Sequence, residues 1–258
     1  MRTFGLDETG QLVNPVRCLK ETGDFVSENF ETDIHEYRLA ILGDMESEES
    51  IESILSAAGI SVNMMQRPAF SLYTGDLNTG YDYIIGINKA EYFYPLILSE
   101  EILHGEHMVL HAPDKTGHES YGDKFSGIAR ELIGSLAFYG ILKEMRDSGI
   151  NPEIRTGYDI GDMEDRTLLE DFMAHEIGRW LVDNNINRSY PDMFRAADEK
   201  SLWDVVSRHL GDMELELFIN VNPYHRAVHE NAADITGRLQ GAPLKVYMGG
   251  PDGYMNAV

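Results

Sequence analysis

The stretch from Pro95 to His111 carries apolar residues at positions that would lie on nearly every face of a helix. Proline favours the first position of a helix, and the good helix formers that follow it predict about four turns. Glu100, His104, His107 and His111 recur at spacings of four, three and four, so their side chains share one stripe of this helix. A helix that is apolar nearly all round is expected to be buried.

Burial gives this polar stripe a chemical meaning. Ionisable side chains in a protein interior cost several kcal/mol unless each one is paired or binds a metal. Two side chains one helical turn apart have Cβ atoms about 6 Å apart, which is within reach of a single ion. The stripe therefore indicates a metal or catalytic site, and the alternative is a set of structural histidines in a buried core.

Before this helix the hydrophobic pattern predicts a region rich in strands, over about residues 1–90. Residues 1–33 show no firm periodicity, so strand and loop are expected there. The elements predicted after them are a strand from Tyr37, a helix over 49–59, a second strand over 60–65, and strands over Phe70–Tyr73 and Tyr83–Asn88.

After a polar loop, helices are predicted for most of residues 91–240. A long helix from about Asp123 to Met145 carries Glu131 on an otherwise apolar stripe, where an ion pair with Arg130 is the structural alternative. Further helices are expected over Thr167–Asp183 behind a T-x-x-E capping box, over Ser201–Gly211, and over Pro223–Leu239 behind Asn222. The roles of His175, His225 and His229 stay open, and residues 241–258 are expected to be a mobile or surface-docked tail.

These elements predict one α+β domain over residues 1–258, with a mixed sheet at the N-terminal end and a mostly helical C-terminal half. The chain has 44 acidic and 21 basic residues and a formal charge of −23. Only 7 of the basic residues are Lys, and the acidic residues are spread along the whole chain. This composition resembles that of proteins of halophilic archaea, and it makes nucleic acid an unexpected partner.

A single cysteine, Cys18, excludes an intramolecular disulfide and a zinc site built on several cysteines. The N-terminus lacks the apolar core of a signal peptide, and no run of 18 or more apolar residues occurs. We therefore expect a cytoplasmic protein with no membrane partner.

The layout of the chain resembles that of the zincin metallopeptidases, over roughly residues 80–210. The zincin signature H-E-x-x-H places two zinc ligands one turn apart, with a general base between them. The segment from Leu98 to His107, L-S-E-E-I-L-H-G-E-H, is similar to that helix. The segment from Arg130 to Tyr139 is similar to the one that supplies a third ligand, and that from His175 to Val182 resembles a packing helix of several small zincin families.

The resemblance implies a role for each matching residue. Glu100 stands where the first histidine belongs, Glu101 where the general base belongs, and His104 where the second histidine belongs, while Glu131 takes the place of the third ligand. A carboxylate-rich set of this kind implies zinc or another divalent metal, and a peptide or protein substrate. An alternative ligand set uses His107 and His111 with Glu131, and it has Met108 where the base should be.

Three functions follow from these patterns. The first is a divergent metal-dependent peptidase or hydrolase, and the second is a catalytically inactive zincin-like binding or structural protein. The third is a carboxylate-bridged two-metal helical protein, for which Glu101 and His104 supply one Glu-x-x-His motif. The sequence has no G-x-S-x-G motif and no placed cysteine nucleophile, so serine and cysteine hydrolase schemes find no support.

Overall fold

The computed structural model describes the residues in the ranges 2–42, 53, 56, 69–74, 80–88, 94–111, 117–152, 165–210, 215–220, 226–239, 242–250 and 253–256. Within these ranges the chain is a mixed α+β structure whose strands form two three-stranded sheets. The helices are α1 (Pro15–Phe30), α2 (Pro95–His111), α3 (Gly117–Lys124), α4 (Gly127–Asp147), α5 (Arg166–Asp183), a 3-10 helix (Ile186–Ser189), α6 (Tyr190–Phe194), α7 (Glu199–Leu210) and α8 (Arg226–Arg238). The strands are β1 (Tyr37–Leu42), β2 (Ala69–Tyr73), β3 (Tyr83–Asn88), β4 (Leu215–Asn220), β5 (Leu244–Gly250) and β6 (Gly253–Asn256).

Contacts between Cα atoms divide the chain into two compact units. The first unit comprises Met1–Asp123 and Ala137–Glu153, and the second comprises Lys124–Leu136 and Ile154–Val258. None of the helices in the described part of the chain is long and apolar enough to cross a membrane.

The sheet of the first unit has β3 at its centre, parallel to β1 and antiparallel to β2. In its register Tyr83 lies opposite both Tyr37 and Tyr73. Five of the six β3 residues are buried, as a continuous apolar run predicts for a central strand. The strands predicted from Tyr37 and over Phe70–Tyr73 and Tyr83–Asn88 are confirmed.

The helix predicted over Pro95–His111 is confirmed with those bounds, as α2. Leu96, Leu98 and Ile102 are fully buried, and α2 packs against α1, β2 and β3. Gly105 permits the close approach to β3, since a Cβ atom there would lie 2.3 Å from the Tyr83 ring.

The expectation of strand and loop over residues 1–33 is wrong, because α1 occupies Pro15–Phe30. The side chain of Asn14 caps this helix by accepting a hydrogen bond from the backbone N–H of Arg17, and Pro15 stands at the start. Its buried stripe includes Cys18 and the polar Thr22. A polar residue on the buried face weakens the hydrophobic period from which a helix is recognised.

Three helix boundaries in the following region also differ from the prediction. α3 occupies Gly117–Lys124, where part of a loop was expected, and the long helix α4 begins at Gly127 rather than near Asp123. The cap of α5 is Asp165, whose side chain accepts a hydrogen bond from the backbone N–H of Thr167, so Thr167 lies inside the helix. Asp165 is as good a cap as Thr, so the T-x-x-E pattern gave the wrong start by two residues.

The second unit contains a sheet that the sequence did not predict. β5 is its central strand, parallel to β4 and antiparallel to β6, and α8 lies between β4 and β5 along the chain. β5 and β6 lie within residues 241–258, so the expectation of a tail there is wrong. Of the helix expected over 49–59, the structure describes residues 53 and 56, and both are helical. The strand expected over 60–65 and the Asn222 cap lie outside the described residues.

Candidate metal centre

α2 supplies two candidate ligands, Glu100 and His104, on one face of the helix. Their spacing of four residues brings the side chains together one turn apart. The apolar residues that bury the rest of α2 fix the direction of this face.

The other two members of the same stripe lie further along α2. His107 is fully buried, its Nδ1 is 2.8 Å from the hydroxyl of Tyr121, and its ring centroid is 4.4 Å from that of His111. Burial lowers the pKa of His107 well below its usual value, and His111 and His104 lower it further. His107 is therefore a neutral imidazole at physiological pH, with one ring nitrogen already hydrogen-bonded to a tyrosine.

Glu131 lies on the face of α4 that packs against α5. One turn before it, a Cβ atom on Gly127 would lie 1.9 Å from Oε2 of Glu170. Ser135 lies one turn after Glu131 on α4, and its Oγ would be 2.1 Å from a Cβ atom on Gly178 of α5. The small residues at 127 and 178 allow this close contact, and Glu131 stands between the two contact points.

α5 carries a second pair of ligand-type residues at the same spacing. Nε2 of His175 is 3.4 Å from Oδ1 of Asp171, one turn earlier, and His175 is buried. The sequence pattern leaves the role of His175 open, and Asp171 is not among the predicted site residues. The i, i+4 spacing of an acid and a histidine on a predicted helix was the available signal.

The described residues contain two groups of three side chains that could hold a metal ion. Glu100, His104 and Glu131 form one group, and Glu100, Asp171 and His175 form the other. Within each group the ligand atoms all lie within 4.8 Å of one another. Ligands of one tetrahedral zinc ion lie roughly 3.3–3.6 Å apart, a spacing that falls within this limit.

The alternative set of His107 and His111 with Glu131 is not one of these groups in the described part of the chain. Each group offers one imidazole nitrogen and two carboxylate oxygens, which suit zinc and also manganese or iron. The donor chemistry therefore fits a divalent cation.

Glu101, which the zincin resemblance predicts to be the general base, contacts the sheet of the first unit. Oγ of Ser71 on β2 is 2.7 Å from Oε2 of Glu101 and 2.6 Å from its backbone oxygen. Glu101 is 9% exposed, so the Ser71 hydroxyl satisfies part of a buried carboxylate.

Comparison of the chain with protein families, curated proteins and solved structures finds no match.

Proposed function

We propose that this protein is a zincin-like metalloprotein that binds a divalent cation and uses it to hydrolyse a peptide or protein substrate. The observation that carries the proposal is the convergence of Glu100, His104 and Glu131. In the resemblance to zincins, these three residues stand where the first, second and third metal ligands belong. A bound divalent cation would supply Lewis-acid polarisation of a carbonyl oxygen.

The chain itself must supply a general base, and Glu101 holds the matching position. It follows Glu100 directly, so its side chain points about 100° round the helix from the ligand face. Its carboxylate already accepts a hydrogen bond from Ser71. A hydrogen bond to the charged form of a carboxylate makes it a weaker base.

This contact favours a second candidate function, a metal-binding protein without hydrolytic activity. In that case Glu101 holds α2 to β2, and the cation has a structural or binding role. The two candidates share the ligands and differ in what Glu101 does.

The second group of side chains favours the two-metal alternative. Glu100 belongs to both groups, and a carboxylate can give one oxygen to each of two neighbouring ions. His104 and His175 would then each bind one of the ions. This arrangement differs from a Glu-x-x-His bundle because each acid and histidine are four residues apart.

Metal titration of the metal-free protein tests the proposal. His104→Ala and Glu131→Ala should each weaken Zn²⁺ binding by at least tenfold, whereas His229→Ala, a half-buried histidine on α8, should leave it unchanged. Glu100→His restores the zincin signature and should tighten zinc binding, because imidazole replaces a harder carboxylate. Equal affinities in all four variants and the parent would refute the site.

The same protein samples separate the candidate functions. A second equivalent of cation that is lost in His175→Ala supports the two-metal alternative. Peptide hydrolysis that disappears in Glu101→Gln with metal affinity retained supports the hydrolase. Full metal binding with no hydrolysis by the parent of a peptide-library substrate supports the non-catalytic candidate.

A further inference from the structure

A second cluster of titratable groups surrounds Glu106. This residue is two positions after His104, so its side chain leaves α2 on nearly the opposite face from Glu100 and His104. The Glu106 side chain is fully buried. Its Oε1 accepts hydrogen bonds from the backbone N–H of His35 at 2.8 Å and from the hydroxyl of Tyr83 at 2.7 Å. Its Oε2 lies 2.6 Å from Nδ1 of His35. Three donors thus offset the cost of burying this carboxylate.

His35 lies on the short connection between α1 and β1, and 43% of its side chain is exposed. Exposure lets the imidazole exchange protons with solvent, while Nδ1 reaches the buried carboxylate. The same connection is also tied to the start of β3, since the N–H of Glu36 donates to Oδ2 of Asp82 and the N–H of Asp82 donates to the Glu36 carbonyl.

The charged and titratable groups around His35 come from each neighbouring element. Glu106 of α2, Asp82 before β3 and Asp33 on its own segment all favour a positive imidazole. Tyr83 of β3 shares the Glu106 carboxylate, and Tyr37 of β1 stacks on Tyr83 with ring centroids 5.4 Å apart. Burial holds the pKa of both tyrosines high, so they stay neutral across the physiological range.

We propose that His35 and Glu106 form a protonation-controlled clasp, which holds the connection between α1 and β1 against α2 when His35 is protonated. Protonated His35 donates from Nδ1 to Glu106 and neutralises part of the charge of three carboxylates. Loss of the proton removes the imidazolium charge, so a hydrogen bond from a neutral imidazole to the carboxylate remains, without the attraction between two opposite charges. The clasp does not depend on the proposed metal function.

The sign of the pH dependence follows from the surroundings of His35. Partial burial lowers the pKa of His35, but the hydrogen bond to Glu106 and the charges of Glu106, Asp82 and Asp33 together raise it above its usual value. The clasp therefore stabilises the fold fully below about pH 6.5, the usual value for histidine, and this contribution is lost as the pH rises through the folded-state pKa.

Stability measured from pH 5 to 9 tests the clasp with a matched pair of variants. His35→Gln keeps a side-chain donor and cannot be protonated, whereas His229→Gln changes a histidine on α8. The ratio of folded to unfolded protein should be higher in the parent than in His35→Gln at pH 5, and this advantage should shrink toward pH 9. The change in the advantage should be about tenfold for each unit by which folding raises the pKa of His35. Parallel pH profiles for the parent and His35→Gln would overturn the proposal, and His229→Gln should follow the parent.

Hydrogen exchange of the parent gives a second measurement that needs no variant. Amide protection in peptides covering residues 32–37, after correction for the intrinsic rate at each pH, should fall between pH 5.5 and 8.5 by at least threefold. Protection that stays constant over this interval would overturn the clasp.

Discussion

Replacement of Gly105 by Ala tests the packing of α2, the helix with the candidate ligands Glu100 and His104, on the central strand β3. A Cβ atom at this position would lie 2.3 Å from two carbon atoms of the Tyr83 ring, well inside any permitted contact. Tyr83 is fully buried, and its hydroxyl is 2.7 Å from Oε1 of Glu106. The ring must therefore move, and the movement strains the hydrogen bond to a buried carboxylate.

The size of the effect follows from three contributions. Overpacking costs about 1–3 kcal/mol, loss of a hydrogen bond to a charged group costs about 1.5–3 kcal/mol, and Ala in place of Gly inside a helix stabilises by about 1 kcal/mol. Their sum is a net destabilisation of about 1.5–5 kcal/mol.

Gly23→Ala is the matched control, because Gly23 lies inside α1 in the same unit and a Cβ atom there would meet nothing within 4 Å. This variant should be stabilised by up to about 1 kcal/mol, since only the helix preference changes. Denaturant unfolding followed by circular dichroism should move the two midpoints in opposite directions. A Gly105→Ala midpoint equal to or above that of the parent would refute the described packing of α2 on β3.

Two further predictions concern charge and the buried carboxylate of Glu101. With a formal charge of −23, the melting temperature should rise between 0.1 M and 1 M salt, as the Debye length falls from about 10 Å to about 3 Å; a flat or falling value would count against the halophilic interpretation. Ser71→Ala should destabilise the fold by about 1–3 kcal/mol, because a buried carboxylate loses a donor. The Ser207 hydroxyl donates to the Trp203 carbonyl one turn back within α7, so Ser207→Ala should cost less, and equal losses would contradict the contact between Ser71 and Glu101.

The elements that the sequence predicted well are those whose signal is local. α2 was predicted with the correct bounds, because a proline start and apolar residues on all sides lie within one run of 17 residues. α1 was missed, since its buried stripe includes Thr22. β4 to β6 were missed because short strands are stabilised by pairing with distant residues, as Leu215 pairs with Leu244.

The candidate site residues likewise separate into those with a local sequence signal and those without one. Glu100, His104 and Glu131 were named from helical spacing and from a family resemblance, both of which need only short segments. Asp171 and the role of His175 were missed, because the acid and histidine spacing on one helix does not by itself identify a third ligand. Their group includes Glu100, which is distant in the sequence.

The proposed cation site is tested by the metal content of the protein, purified beside its Glu100→Ala variant. Both are dialysed in high salt against a metal-buffered solution, then analysed by elemental mass spectrometry, with circular dichroism to show that the variant is folded. Glu100 belongs to both candidate groups, so we expect at least one equivalent of divalent cation in the parent and, because a ligand carboxylate is lost, less than a tenth of an equivalent in the variant. A parent protein without bound cation, or a folded variant that keeps the parent's metal content, would show that these side chains do not form a cation site.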